Sequence, residues 1–243
     1  MGTRNLTVVV VDGEYKVAQY GQWDGYPTGQ GSVICEFIQN QMDLEKFKTA
    51  VRKCTYVNAE TLNAMWENDR EKYSYLSRDT GGDILNLVQN GTAKELHNEI
   101  DFAAESLFCE WAYVLDLDNE VLEVYRGFNK DPLNSSERFF NLSEKAEKTK
   151  HKHSSGGYTP VKLYRKFPFA VCSSYAMKQL EKCGYREDSK GNELPELDPK
   201  ALPDSYFASK ESTYIVTRQI TNTAQATVEA NTPHDRDWET TLF

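Results

Sequence analysis

Leu6-Thr7-Val8-Val9-Val10-Val11 runs straight into Asp12-Gly13 and then into Glu14-Tyr15-Lys16-Val17-Ala18-Gln19-Tyr20. The first run is β-branched and almost wholly apolar, which is strand character. Asp-Gly between two such runs marks a two-residue hairpin turn, because both central positions take positive φ. Leu6, Val8 and Val10 share one face of the first strand, and Thr7, Val9 and Val11 share the other. A strand apolar on both faces is covered on both sides. The reading therefore puts strand one in the middle of a sheet.

From Gly31 onward the period changes. Val33, Ile34, Phe37 and Ile38 fall at helical spacing, and Leu44, Phe47, Val51 and Cys54 repeat it. Ala59 to Asn68 reads as a third short helix, with Leu62, Met65 and Trp66 clustered. Ile84 to Val88 is apolar but too short to assign by period. Ala93 to Phe108 predicts a longer helix, with Leu96, Ile100, Ala103, Ala104 and Leu107 on one side. A second hairpin follows, Trp111 to Asp118 and Val121 to Tyr125, joined by a polar turn and closed by Gly127.

The segment 129–157 is polar and reads as a surface insertion. Val161 to Arg165 predicts a strand, Phe169 to Leu180 a helix, Tyr185 to Ser212 an irregular excursion, and Thr213 to Gln219 a last strand. Hairpins first, helices next and strands returning predict an α+β protein built of antiparallel sheets with helices. The expected organisation is a single domain over 1–220 followed by a loosely ordered tail over 221–243, in which Trp238 and Phe243 are the residues able to dock.

Composition narrows the function classes. Of 243 residues, 39% are hydrophobic and 12% aromatic, which excludes a disordered chain. The longest clean apolar stretch, Val8 to Val11, is far below the ~20 residues of a membrane helix. A formal net charge of -9 argues against a general grip on nucleic-acid backbones. The five cysteines, Cys35, Cys54, Cys109, Cys172 and Cys183, are widely spaced with no C-x-x-C pair. Together with a start that lacks signal-peptide character, they predict a reducing cytoplasm, the host's if the gene is carried by a phage. Four sequons, beginning at Asn5, Asn90, Asn134 and Asn141, are then accidental matches.

The segment with unusual chemistry is Tyr20-Gly21-Gln22-Trp23-Asp24-Gly25-Tyr26-Pro27-Thr28-Gly29-Gln30-Gly31. Its glycines permit close backbone approach, and Trp23 and Tyr26 offer flat surfaces with polar handles. Tyr20, Trp23, Tyr26, Gly29 and Gly31 are the predicted ligand-binding residues. Free N–H groups where Gly29-Gln30-Gly31 opens a helix predict an anion site. The plain alternative is that the segment is a set of turns in which Asp24 only caps the loop.

The Met1-Gly2-Thr3-Arg4 start, the Asp-Gly hairpin and the Tyr20–Gly31 segment together resemble a group of uncharacterised bacterial and phage proteins. That group shares a Thr-Arg start and a Tyr-x-x-aromatic-Asp-x-Tyr-Pro-x-Gly-x-Gly pattern, and its likeness extends to the Trp111–Tyr125 hairpin. In layout the chain is also distantly similar to N-terminal-nucleophile hydrolases of the bile-salt-hydrolase and penicillin-acylase kind. That resemblance implies an αββα sandwich and amide-bond hydrolysis at the end of the first hairpin. There Thr3 is the conditional nucleophile, Asp24 orients or deprotonates, Arg4 holds a negative group and Gln22 stabilises an oxyanion. Gly2 favours removal of Met1, which leaves Thr3 without a free α-amine unless trimming goes further.

Two other classes stand beside that reading: a non-catalytic accessory protein that sequesters a small polar ligand or blocks a protein partner, and a structural protein in which the motif only builds the fold. No cofactor, metal, nucleic acid or membrane is expected. His151 and His153 sit in a lysine-rich loop without a companion acid set. His97 is read as a helix-surface or core residue, and Asp116 and Asp118 as solvated turn carboxylates. Ser173-Ser174 lacks a nucleophile-elbow context.

Overall fold

A computed structural model of the chain describes residues 2–143, 157–184 and 192–209. The first hairpin forms as expected. β1 (Asn5–Val11) and β2 (Glu14–Gly21) pair antiparallel, with Asn5 opposite Gly21. Asp12 and Gly13 take φ of 55° and 73°, the left-handed pair that such a turn demands. Two short strands, β3 (Thr55–Tyr56) and β4 (Glu95–Leu96), form a separate parallel pair. β5 (Trp111–Asp116) and β6 (Val121–Arg126) make the second hairpin, and β7 (Lys162–Pro168) pairs antiparallel with β6.

The main sheet has the order β2-β1-β5-β6-β7. β1 is central and all seven of its residues are buried. The sheet is mixed, not purely antiparallel: β1 and β5 run parallel, Asn5 opposite Trp111. The reason is the long connection from Gly21 to Trp111, which returns the chain to the free edge of β1 in the same direction. β2 ends and β5 begins at the Asn5 end of the sheet, so β5 runs antiparallel to β2 and parallel to β1, which lies between them. The class is nonetheless a mixture of helix and sheet of the α+β kind.

The alternation read from β1 separates two cores. Val9 and Val11 face a cluster built with Ile34, Phe37, Phe47, Leu85 and Met177. Leu6, Val8 and Val10 face a second cluster with Ala103, Leu133 and Phe139. The first cluster is supplied by α1 (Ser32–Glu36), which continues through a wider π-type turn at Phe37–Gln41, by α2 (Leu44–Arg52) and by α4 (Ile84–Gln89). α5 (Ser174–Gly184) adds Met177 and Leu180. α3 (Ala59–Asn68) spans the expected residues, but none of them is buried. A last short helix, α6 (Asp204–Phe207), seats Phe207 in the same core.

Helix ends follow the local chemistry. Asp43 accepts the Lys46 N–H before α2, Asn58 accepts the Thr61 N–H before α3, and the Ser173 hydroxyl accepts the Ala176 N–H at the start of α5. The helix expected from Phe169 thus begins later, after a single 3₁₀ turn at Phe169–Val171.

The helix expected over Ala93–Phe108 does not form. Its backbone groups are taken elsewhere: Thr55 and Val57 donate to the Lys94 and Leu96 carbonyls at 2.8 and 3.0 Å, and the Glu99 N–H donates to Ala18 on β2 at 3.1 Å. Asn98 accepts the Ile100 N–H, a local bond that competes with helix, and only a 3₁₀ stretch, Ile100–Ala104, survives. The apolar residues expected on one helix side therefore divide. Leu96 enters the first core, while Ala103 enters the second. The chain wraps around the edge of β2 and delivers them to opposite faces of the sheet.

No helix among the described residues is long and apolar enough to cross a membrane. The strand expected at Thr213–Gln219, the tail 221–243, and His151 and His153 lie outside the described residues.

Candidate ligand-binding site

The Tyr20–Gly31 segment leaves β2 and folds back across the end of β1. The Gly25 N–H donates to the Thr3 carbonyl at 2.9 Å, which brings Thr3, Arg4, Gln22 and Asp24 to one end of the sheet. Their side chains there face different partners. Arg4 lies 3.7 Å from Glu110 and stacks 5.0 Å from the Phe108 ring. Asp24, held at a φ of 52°, accepts from the Tyr26 hydroxyl at 3.2 Å. That contact keeps the Tyr26 phenol protonated, since the Asp24 charge raises its pKa. Gln22 accepts from the Tyr20 hydroxyl at 2.6 Å.

The glycines are packed against protein. A Cβ on Gly29 would lie 2.1 Å from the Asp24 carbonyl oxygen, and one on Gly31 would lie 2.9 Å from the Met177 sulfur and 3.1 Å from the Tyr113 ring. The N–H groups expected to receive an anion are also engaged. Thr28 donates its N–H and its hydroxyl to Glu181, Gly29 donates to Tyr26, and Gln30 donates to Asp24. The negative group at this helix start is the protein's own Glu181. Those are corrections to the expectation of a free anion cradle.

What the segment does hold is the turn at Ser77–Asp79. The Gln22 N–H donates to the Arg78 carbonyl at 2.9 Å, and the Trp23 indole N–H donates to Asp79 at 2.7 Å. From β2, Gln19 reaches the Ser77 carbonyl at 3.2 Å. Three consecutive residues are thus tied to the hairpin, and Arg78 is carried into the lining of a cleft of ≈ 250 Å³.

That cleft runs along the outer side of β2. It is lined by Gln19 and Tyr20 of β2 and by Leu62, Asn63 and Trp66 of α3. Leu76 and Arg78, with His97 and Glu99, complete the lining. Tyr20 packs edge-on against Phe102 with ring centroids 4.9 Å apart, and burial raises the pKa of its hydroxyl despite the nearby Arg4 and Arg78. Glu99 and the His97 Nδ1 are in direct hydrogen-bonding contact. Among the described residues the Arg78 side chain makes neither an ion pair nor a hydrogen bond, and it is exposed.

Of the residues picked from sequence, Tyr20 alone lines this cleft; Arg78, His97, Glu99 and Trp66 were not foreseen. His97 carries no signal as long as 93–108 is read as a helix, and Arg78 stands in an ordinary polar stretch. Only the wrapping of the chain around β2 gathers them.

Among the described residues no group of three or more side chains converges to hold a metal. Asp116 is also not a solvated turn carboxylate. It is 3% exposed, bonds Asp118 and Asn119, and pairs with Arg138 at 2.6 Å. Burial works against its charge, but the bonds from Asn119 and Arg138 prevail and lower its pKa. Asp118 ties the two hairpins together by accepting the Asp12 and Gly13 N–H groups at 2.9 and 2.8 Å.

No family model, curated protein or solved structure matches the chain.

Proposed function

We propose that this protein binds a small polar molecule in the cleft beside Tyr20, between β2, α3 and the turns at Arg78 and His97. The observation that carries the reading is the state of α3. Its apolar residues Leu62 and Trp66 face the cleft, yet no residue of the helix is buried. An amphipathic helix gains its stability by covering its apolar face, and a ligand completes that cover here. Concave sites with apolar walls and a few directed polar groups are the usual form of small-molecule sites. The Tyr20–Gly31 segment serves this site by fixing the turn that carries Arg78.

The test is a thermal-shift screen of small polar compounds on the full chain and on a Leu62→Ala/Trp66→Ala variant. Because α3 contributes nothing to the core, the variant folds, and binders of the parent protein lose their stabilising effect on it. Compounds that stabilise both proteins equally bind elsewhere and overturn the reading.

One contact favours a second reading, amide-bond hydrolysis on an N-terminal-nucleophile-like αββα layout. In its support, the Gly25-to-Thr3 backbone bond holds the chain next to Asp24 against the strand end that carries Thr3. Intact-mass measurement tests it: a chain whose first residue is Thr3 supports a nucleophile with its own α-amine. A chain beginning at Met1 or Gly2 removes the nucleophile, and turnover that survives Asp24→Ala removes the assigned role of that carboxylate.

A further inference from the structure

We infer that the molecule held in the cleft beside Tyr20 carries an oxyanion, a carboxylate or a phosphate ester, joined to a flat apolar body; the inference rests on the ligand-binding reading above. The hydrogen bonding of the lining leads there. Glu99 has a partner within the protein, the His97 Nδ1. Arg78 is matched by nothing among the described residues.

The placement of Arg78 is not that of a loose surface cation. Its own carbonyl, its predecessor's carbonyl and its successor's carboxylate are all bonded to the first hairpin, by Gln22, Gln19 and Trp23 respectively. The backbone beneath the side chain is therefore fixed beside the cleft before any ligand arrives, which lowers the ordering cost of binding. A guanidinium presents a planar fork of N–H donors that matches the two oxygens of a carboxylate or phosphate.

The remaining walls describe the rest of the molecule. Leu62, Trp66 and Leu76 supply apolar surface, with an indole ring suited to a flat partner. Asn63 supplies a polar group beside them. The His97–Glu99 pair completes the lining.

Calorimetry on the full chain with benzoate, phenyl phosphate, benzamide and benzylamine tests this. Benzoate or phenyl phosphate binds, the stronger of the two identifying the oxyanion, while neutral benzamide and cationic benzylamine do not. Arg78→Gln, a change at an exposed side chain, keeps the melting temperature and weakens the anionic probe by roughly 10- to 100-fold, as the loss of a charged hydrogen-bond donor does. Arg78→Lys keeps the charge without the fork and recovers only part of the affinity. Benzamide or benzylamine binding as tightly as benzoate, yet lost in Leu62→Ala/Trp66→Ala, overturns the oxyanion and leaves the cleft as a ligand site. Anionic probes unaffected by Arg78→Gln also overturn it. No binding by any of the four overturns both.

Discussion

The Tyr113 hydroxyl donates to the Gly25 carbonyl at 2.7 Å in the interior of the protein, and Tyr113 itself is completely buried. A single phenol on β5 thus clamps the glycine-rich segment that leaves β2, across the strand between them. Burial raises the pKa of Tyr113 well above its ordinary value, so it remains a donor throughout the physiological range.

Tyr113→Phe leaves the Gly25 carbonyl without its partner inside the core. The expected loss is about 1–3 kcal/mol in urea unfolding, the cost of an unsatisfied buried acceptor. Gly29→Ala acts on the same segment by sterics, since its Cβ would lie 2.1 Å from the Asp24 carbonyl oxygen. It is expected to destabilise by about 1–3 kcal/mol, the range for a clash in packed structure. A midpoint unchanged in either variant means the segment is not held as described.

Asp118→Ala removes the acceptor for two N–H groups in the tight turn between β1 and β2. The expected loss is about 1–2 kcal/mol, modest because the site is exposed. The sharper readout is amide exchange: Asp12 and Gly13 lose protection while β1, buried throughout, keeps it. Uniform acceleration along β1 would contradict a local role.

The Glu123 carboxylate is 2% exposed and meets Lys166 at 2.7 Å, Arg138 at 2.6 Å and the Tyr125 hydroxyl at 2.7 Å. Burial pushes its pKa up, but the bonds from Arg138, Lys166 and Tyr125 outweigh that and hold it below the ordinary glutamate value. Asp116, on the same Arg138, is lowered as well. Depressed carboxylates stabilise the fold above their unfolded pKa values, ~4.3 for Glu and ~3.9 for Asp, and lose that contribution as pH falls through the lower folded values. The melting temperature is therefore expected to drop steeply below about pH 4. Arg138→Met costs about 3–5 kcal/mol at neutral pH by stranding both carboxylates, and it flattens the acid limb. A variant with the parent's acid profile would show that this cluster does not set it.

All five cysteines are buried. Burial pushes the Cys54 thiol up to about 11, and burial raises Cys109 and Cys172 too. The thiolate is the reactive form, so a disulfide-exchange reagent at pH 8 should label none of these thiols in the native protein and all of them in guanidinium. Rapid native labelling of any one would show that its site opens.

Period and turn chemistry made a large part of the fold legible. Alternation in Leu6–Val11 told which residues face which core, because a strand has only two faces. The Asp12-Gly13 turn and the α3 bounds were equally plain, since those signals lie within a few adjacent residues. The Ala93–Phe108 stretch shows where local reading stops. Its apolar spacing suits a helix, but β3 and the edge of β2 offer its backbone better partners, and nothing within the stretch announces them.

The candidate site divides in the same manner. The unusual composition of Tyr20–Gly31 marked the right neighbourhood, and Tyr20 lies in both the motif and the cleft. What the motif's polar groups do is another matter, because hydrogen bonds between residues some 55 positions apart leave no local trace in the chain. Amino-acid order alone determined a central two-sided strand, a tight hairpin and a run of amphipathic helices, all properties of neighbouring residues. Tertiary structure alone decided that β1 and β5 run parallel, that Glu181 occupies the helix start, and that Arg78, His97 and Trp66 share one cleft. Those depend on which distant backbone donors and acceptors satisfy one another once the chain has wrapped around β2.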